Sequence, residues 1–79
     1  LQIGDRSVRE ISKLSSLTEL YLAQCNNITD AGGQQLAKLV NLTLLDLSWC
    51  GRVTDVTIGA ISSLVYLKTL EIARCGKVT

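Results

Sequence analysis

The amino-acid sequence predicts an α/β solenoid: right-handed, about three units of 25 residues, parallel strands on the concave face and helices on the convex face. Apolar residues recur at that one spacing, in the columns Leu17/Leu42/Leu67, Leu20/Leu45/Leu70 and Leu22/Leu47/Ile72. Cys25, Cys50 and Cys75 keep the same step. Within each unit the apolar period changes from two residues to three, as a strand followed by a helix requires.

The unit begins with a strand. Leu17-Thr18-Glu19-Leu20-Tyr21-Leu22 ends in alternation, and segments 42–47 and 67–72 do the same apart from Leu44. Turns follow at Asn26-Asn27, Gly51-Arg52 and Gly76-Lys77, residues that tolerate tight or left-handed backbone. The register continues through Ile28/Val53/Val78 and Thr29/Thr54/Thr79 to Asp30/Asp55, and its phase reaches back to Ile3 and Asp5. Thr29-Asp30 and Thr54-Asp55 are placed to cap helices. The helices carry the columns Ile11/Leu36/Ile61 and Leu14/Leu39/Leu64. Gly33, beside Gly32, stands where Val8 and Ile58 supply an apolar side chain. Each glycine costs about 1 kcal/mol relative to Ala inside a helix, so a short, late-starting or distorted helix is expected there.

A lone unit cannot bury its apolar side; stacking packs strand leucines against helix aliphatics and pairs each strand with the next. Strands sit about 4.8 Å apart and packed helices about 8–10 Å, so the strand side becomes concave. The units run 1–16 (partial), 17–41, 42–66 and 67–79 (partial), and the chain reads as a slice of a longer solenoid.

The segments LTELYLAQCNNITDAG and LTLLDLSWCGRVTDV resemble leucine-rich repeats of the cysteine-containing subclass, similar to those in the substrate-binding regions of F-box proteins. The resemblance covers essentially the whole chain. It implies a protein-binding scaffold and, in F-box members, a substrate receptor of a ubiquitin ligase, although no F-box segment is present in the sequence. It also implies that the cysteine column turns into the loop, where each thiol meets backbone groups and acts as a small buried hydrophobe.

Composition narrows the function. Hydrophobic residues make up 47% of the 79 residues without any Phe, Met or Pro. Lys and Arg total 8 against 7 Asp and Glu, too even a balance for a nucleic-acid or membrane-surface partner. No apolar run approaches the roughly 18 residues that span a bilayer. There is no His, the commonest general base, and Gly32-Gly33 lacks the spacing of a phosphate loop. Asp30 and Asp55 read as helix caps rather than an acid/base pair. No catalytic site, metal or cofactor is expected, and the chain does not read as an enzyme.

The cysteines leave three readings: structural thiols, a disulfide, or metal ligands. Zinc sites usually gather cysteines two to four residues apart, and in-line side chains on neighbouring strands fit a disulfide dihedral poorly, so structural thiols are favoured. Free buried thiols point to a reducing compartment, cytoplasmic or nuclear. Asn27-Ile28-Thr29 and Asn41-Leu42-Thr43 match the glycosylation acceptor pattern, which a repeat supplying Thr also produces by coincidence.

Strand residues that alternate with the inward leucines face the concave surface, in the columns Glu19/Leu44/Thr69, Tyr21/Asp46/Glu71 and Ala23/Ser48/Ala73, with Gln24/Trp49/Arg74 at the rim. These positions vary while the inward columns keep their type. Trp49 is either a partner contact, since interface hot spots favour Trp, Tyr and Arg, or a cover over Gly51 or stacked with Arg74. Tyr21, Asp46 and Glu71 suggest a partner presenting Lys or Arg, or a solvated face. The leading expectation is a scaffold holding a protein partner on the concave face. The alternative is a solenoid segment for spacing or self-association through its uncovered ends.

Overall fold

A computed structural model describes residues 3–75. Its elements are α1 (Asp5–Ile11), β1 (Glu19–Tyr21), α2 (Asp30–Gln35) running into a 3-10 turn (Leu36–Lys38), β2 (Leu44–Asp46), α3 (Asp55–Ile61) and β3 (Thr69–Glu71). The strands form one parallel sheet in the order β1-β2-β3, and Leu20, Leu45 and Leu70 are paired across it. Each strand therefore meets the next at a step of 25 residues, the step of the apolar columns.

The regular strands are only three residues long, yet the ladder extends beyond them. Leu22 N–H donates to the Asp46 carbonyl at 2.8 Å and Gln24 N–H to Ser48 at 2.7 Å; Leu47 and Trp49 repeat the pattern to Glu71 at 2.8 Å and Ala73 at 2.9 Å. Before the strands, Thr43 N–H donates to the Thr18 carbonyl at 2.7 Å and Lys68 N–H to Thr43 at 2.8 Å. The ladder groups of the strand segments are thus paired between units, and a unit in isolation would leave these without their partners.

Leu22, Leu42, Leu45 and Leu47 from the strand segments, Ile28 and Val53 from the turns, and Leu36, Leu39 and Ile61 from the helical side fill one core. Each fully buried aliphatic contributes about 2 kcal/mol. The outer columns are less covered: Leu17, Leu20, Leu67 and Leu70 are half-buried, whereas Leu42 and Leu45 are fully buried. Leu14 departs from the expected helix column. It is 55% exposed while Leu39 and Leu64 are buried, because only its later counterparts have a preceding unit packed against them within the described residues.

Thr29 and Thr54 are the N-caps of α2 and α3, their hydroxyls accepting from Ala31 N–H at 3.2 Å and Val56 N–H at 3.1 Å. The expectation about Gly32-Gly33 fails in its main part. α2 starts at the same phase as α3 and runs as α-helix through both glycines; only its end is shortened, into the 3-10 turn. Both glycines are buried where neighbouring helices approach closely. A Cβ on Gly32 would overlap Asp5 Oδ1 and lie 3.1 Å from the Asp5 Cα; one on Gly33 would overlap Thr57 Oγ1 and lie 2.7 Å from its Cγ2. The helix keeps its geometry because packing to both sides outweighs the glycine propensity cost.

Turn residues fall at Asn26 and at Gly51-Arg52 as expected, but the left-handed backbone lies just before them. No described glycine has positive φ; the left-handed residues are Gln24, Trp49 and Arg74, with φ of 64°, 66° and 63°. The left-handed residue comes immediately after the extended ladder, one residue before each cysteine, and is a long side chain rather than the following Asn or Gly. The expected turn at Gly76-Lys77, the register positions Val78 and Thr79, and Leu1-Gln2 lie outside the described residues.

Candidate functional site: the strand face and its rim

The sheet assembles the expected surface columns into a continuous patch. Glu19, Leu44 and Thr69 are register partners across the three strands, as are Tyr21, Asp46 and Glu71. Glu19, Tyr21 and Glu71 are exposed, while Leu44, Asp46 and Thr69 are half-buried. On the central strand this follows from flanking: Leu44 and Asp46 have a neighbouring strand about 4.8 Å away on either side.

Two side-chain contacts order this face. Tyr21 Oη donates to Glu19 Oε1 at 3.1 Å, which together with the nearby carboxylates of Glu19 and Asp46 raises the phenol pKa. Asp46 Oδ1 accepts from Ser48 N–H at 2.9 Å, tying its carboxylate to the end of its own strand.

The rim is built by the left-handed residues. Positive φ at Gln24, Trp49 and Arg74 places three exposed side chains at equivalent positions of consecutive units. The Arg74 guanidinium lies over the Trp49 ring, 5.4 Å from its centroid, within cation–π range. Trp49 remains 51% exposed and does not cover Gly51, around which the Cβ position has only Asn26 within contact distance. The stacked arrangement is therefore realised, with much of the indole still facing solvent.

Beneath the rim the cysteines turn inward. Cys50 Sγ donates to the Leu22 carbonyl at 3.1 Å and Cys75 Sγ to the Leu47 carbonyl at 3.0 Å, each bond reaching back one unit. Cys25 is half-buried, and its thiol meets the Ala23 carbonyl at 3.7 Å. Burial pushes the Cys50 thiol up to about 11 and raises that of Cys25. A thiol held protonated is a poor nucleophile and a poor metal ligand. Among the described residues no group of three acidic, thiol or imidazole side chains is placed to hold a metal ion, and no helix is long and apolar enough to cross a membrane.

Sequence reasoning missed the aspartates' reach between units. Asp5 Oδ1 accepts from Thr29 N–H at 2.8 Å and Gly32 N–H at 3.0 Å, while Oδ2 accepts from the Thr29 hydroxyl at 2.6 Å. Asp30 does the same for Thr54 and adds the Thr57 hydroxyl at 2.7 Å. Burial works against the Asp30 carboxylate, but the hydrogen bonds from Thr54 and Thr57 outweigh it and hold its pKa below the usual value. The signal was present as Thr-Asp at a constant step, but the helix each Asp serves belongs to the next unit.

The comparisons agree with this geometry. A family model described as Leucine Rich repeat matches residues 13–37 and again 38–62, two consecutive units of the observed period. No curated protein matches the chain. The two family matches together cover more than half of the sequence and fall on the elements that build the parallel sheet and its helices, so the chain belongs to the leucine-rich repeat family.

Proposed function

We propose that the chain is a protein-interaction scaffold that holds its partner on the strand face and rim. The observation that carries this reading is the contrast between the two sides of the sheet. The inward side is uniformly aliphatic, whereas the outward side combines Glu19, Tyr21, Leu44, Asp46, Thr69 and Glu71 beside an exposed Trp49–Arg74 stack. Packing constrains only the inward side, leaving the outward residues available for specificity. The carboxylates of Glu19, Asp46 and Glu71 suit a partner presenting Lys or Arg, with Tyr21 and Trp49 as aromatic anchors.

The test is partner capture followed by titration calorimetry with the Trp49→Ala/Asp46→Lys double variant. Loss of a hot spot weakens binding by about 30-fold. Unchanged affinity for the captured partner argues against this face.

Substrate recognition within a ubiquitin ligase is the narrower form of the proposal, supported by the similarity of the cysteine-containing repeats to those of F-box proteins. It requires that the complete polypeptide co-purify with a ligase core, and an intact protein lacking any ligase-recruiting domain rules it out. Self-association is the second reading, favoured by the half-buried Leu17, Leu20, Leu67 and Leu70 at the outer units. A single monomer boundary across the micromolar range in analytical ultracentrifugation excludes it.

A further inference from the structure

Away from the strand face, α1 and α2 enclose an open groove of about 410 Å³ lined by Asp5, Arg6, Arg9, Ala31, Gln34 and Gln35. Its size lies in the range of ligand sites. Arg6 and Arg9 are exposed and three residues apart, on the same side of α1. Neither forms an ion pair: among the described residues the only salt bridge joins Lys13 to Glu10. The one carboxylate in the groove, Asp5, accepts from Thr29 and Gly32 rather than from either arginine, and leaves the lining with an excess of positive charge. The basic character is confined to this unit, since the positions 25 residues after Arg6 and Arg9 are Ala31 and Gln34, then Val56 and Gly59.

Two unpaired guanidiniums facing two amides across a groove form a fork for carboxylates together with donors and acceptors for a peptide backbone. We propose that the α1–α2 groove docks an acidic segment of a protein partner, with Asp or Glu carboxylates on Arg6 and Arg9 and the peptide hydrogen-bonded to Gln34 and Gln35. Two guanidiniums on a chain of net charge +1 supply too few phosphate contacts for a nucleic acid, so the acidic peptide is favoured. The site is separate from the strand face and does not require a partner there.

The experiment is fluorescence anisotropy of a labelled ten-residue peptide of alternating Glu and Ser, titrated with the full chain at low and physiological salt. The expected result is saturable binding that weakens with salt and loses roughly tenfold or more in Arg6→Gln/Arg9→Gln, with Trp49→Ala unchanged. Gln34→Glu, an exposed change within the groove, also weakens binding, and amide shifts on peptide addition concentrate in α1 and α2. Circular dichroism verifies that the variants fold. The proposal is overturned by absence of saturable binding, by wild-type affinity in Arg6→Gln/Arg9→Gln, by shifts centred on the strand face, or by tighter binding of an oligonucleotide of equal charge.

Discussion

Asp30, in the first turn of α2, accepts hydrogen bonds from both the backbone N–H and the hydroxyl of Thr54, the residue that caps α3 one unit later. Capping is thereby relayed: Thr54 caps its own helix through Val56 N–H, and the preceding unit holds Thr54 in place. Removing the acceptor leaves the Thr54 N–H and the hydroxyls of Thr54 and Thr57 without this partner. Asp30→Ala is expected to cost about 2 kcal/mol, with Asp30→Asn costing less because it keeps one carbonyl acceptor. Urea denaturation of the two variants checks the order.

The same carboxylate makes stability depend on pH. The folded-state pKa of Asp30 lies below its ordinary value, so its contribution is present above the unfolded value near ~4 and is lost as pH falls through the folded pKa. Stability of the wild-type chain should decline below about pH 4 more steeply than that of Asp30→Asn, as measured by thermal melts between pH 2 and 6.

Glycines in adjacent helices should respond in opposite directions. Gly33→Ala drives a Cβ into Thr57 and is expected to destabilise by about 2 kcal/mol, while the Cβ position of Gly59 in α3 meets nothing within 4 Å. Gly59→Ala should therefore stabilise by about 1 kcal/mol through helix propensity. Equal effects of the two substitutions would refute the close-packing account of α2.

Gln24 has φ of 64°, in the region where side chains with a Cβ are disfavoured. Gln24→Gly removes that cost and adds unfolded-state entropy, for a net gain of about 0.5 kcal/mol. Its melting temperature should rise; a fall would show that the Gln24 side chain contributes packing that outweighs the backbone cost.

Thiol reactivity should follow position in the stack. Cys50 is fully buried, hydrogen-bonded to Leu22 and has its pKa pushed up to about 11, whereas Cys25 is half-buried. Timed alkylation at pH 8 with mass spectrometry should modify Cys25 first and Cys50 only under denaturing conditions. Comparable rates at the two sites would contradict the buried hydrogen bond.

The periodic part of the structure was legible in the sequence. Leucines at a constant step became register partners, and Thr29 and Thr54 became N-caps, because strand pairing and capping depend on residue type and spacing within a few positions. The positions of Tyr21, Asp46 and Glu71 beside one another followed from the same register. Other features depend on what lies one unit away. Gly32 and Gly33 look like helix breakers until Asp5 and Thr57 are seen against them, and Asp30 looks like part of its own helix start until its oxygens are found on Thr54.

By itself, then, the sequence determined the repeat, the alternation of strand and helix, and which columns are apolar, since the 25-residue step and the change of period are written in residue order. Tertiary structure alone decided that α2 runs through two glycines, that left-handed backbone falls on Gln24, Trp49 and Arg74, and that the Arg74 guanidinium lies over the Trp49 ring. The physical reason is common to all three. Each balances a local preference against contacts made by a neighbouring unit, and those contacts exist only once the units are stacked.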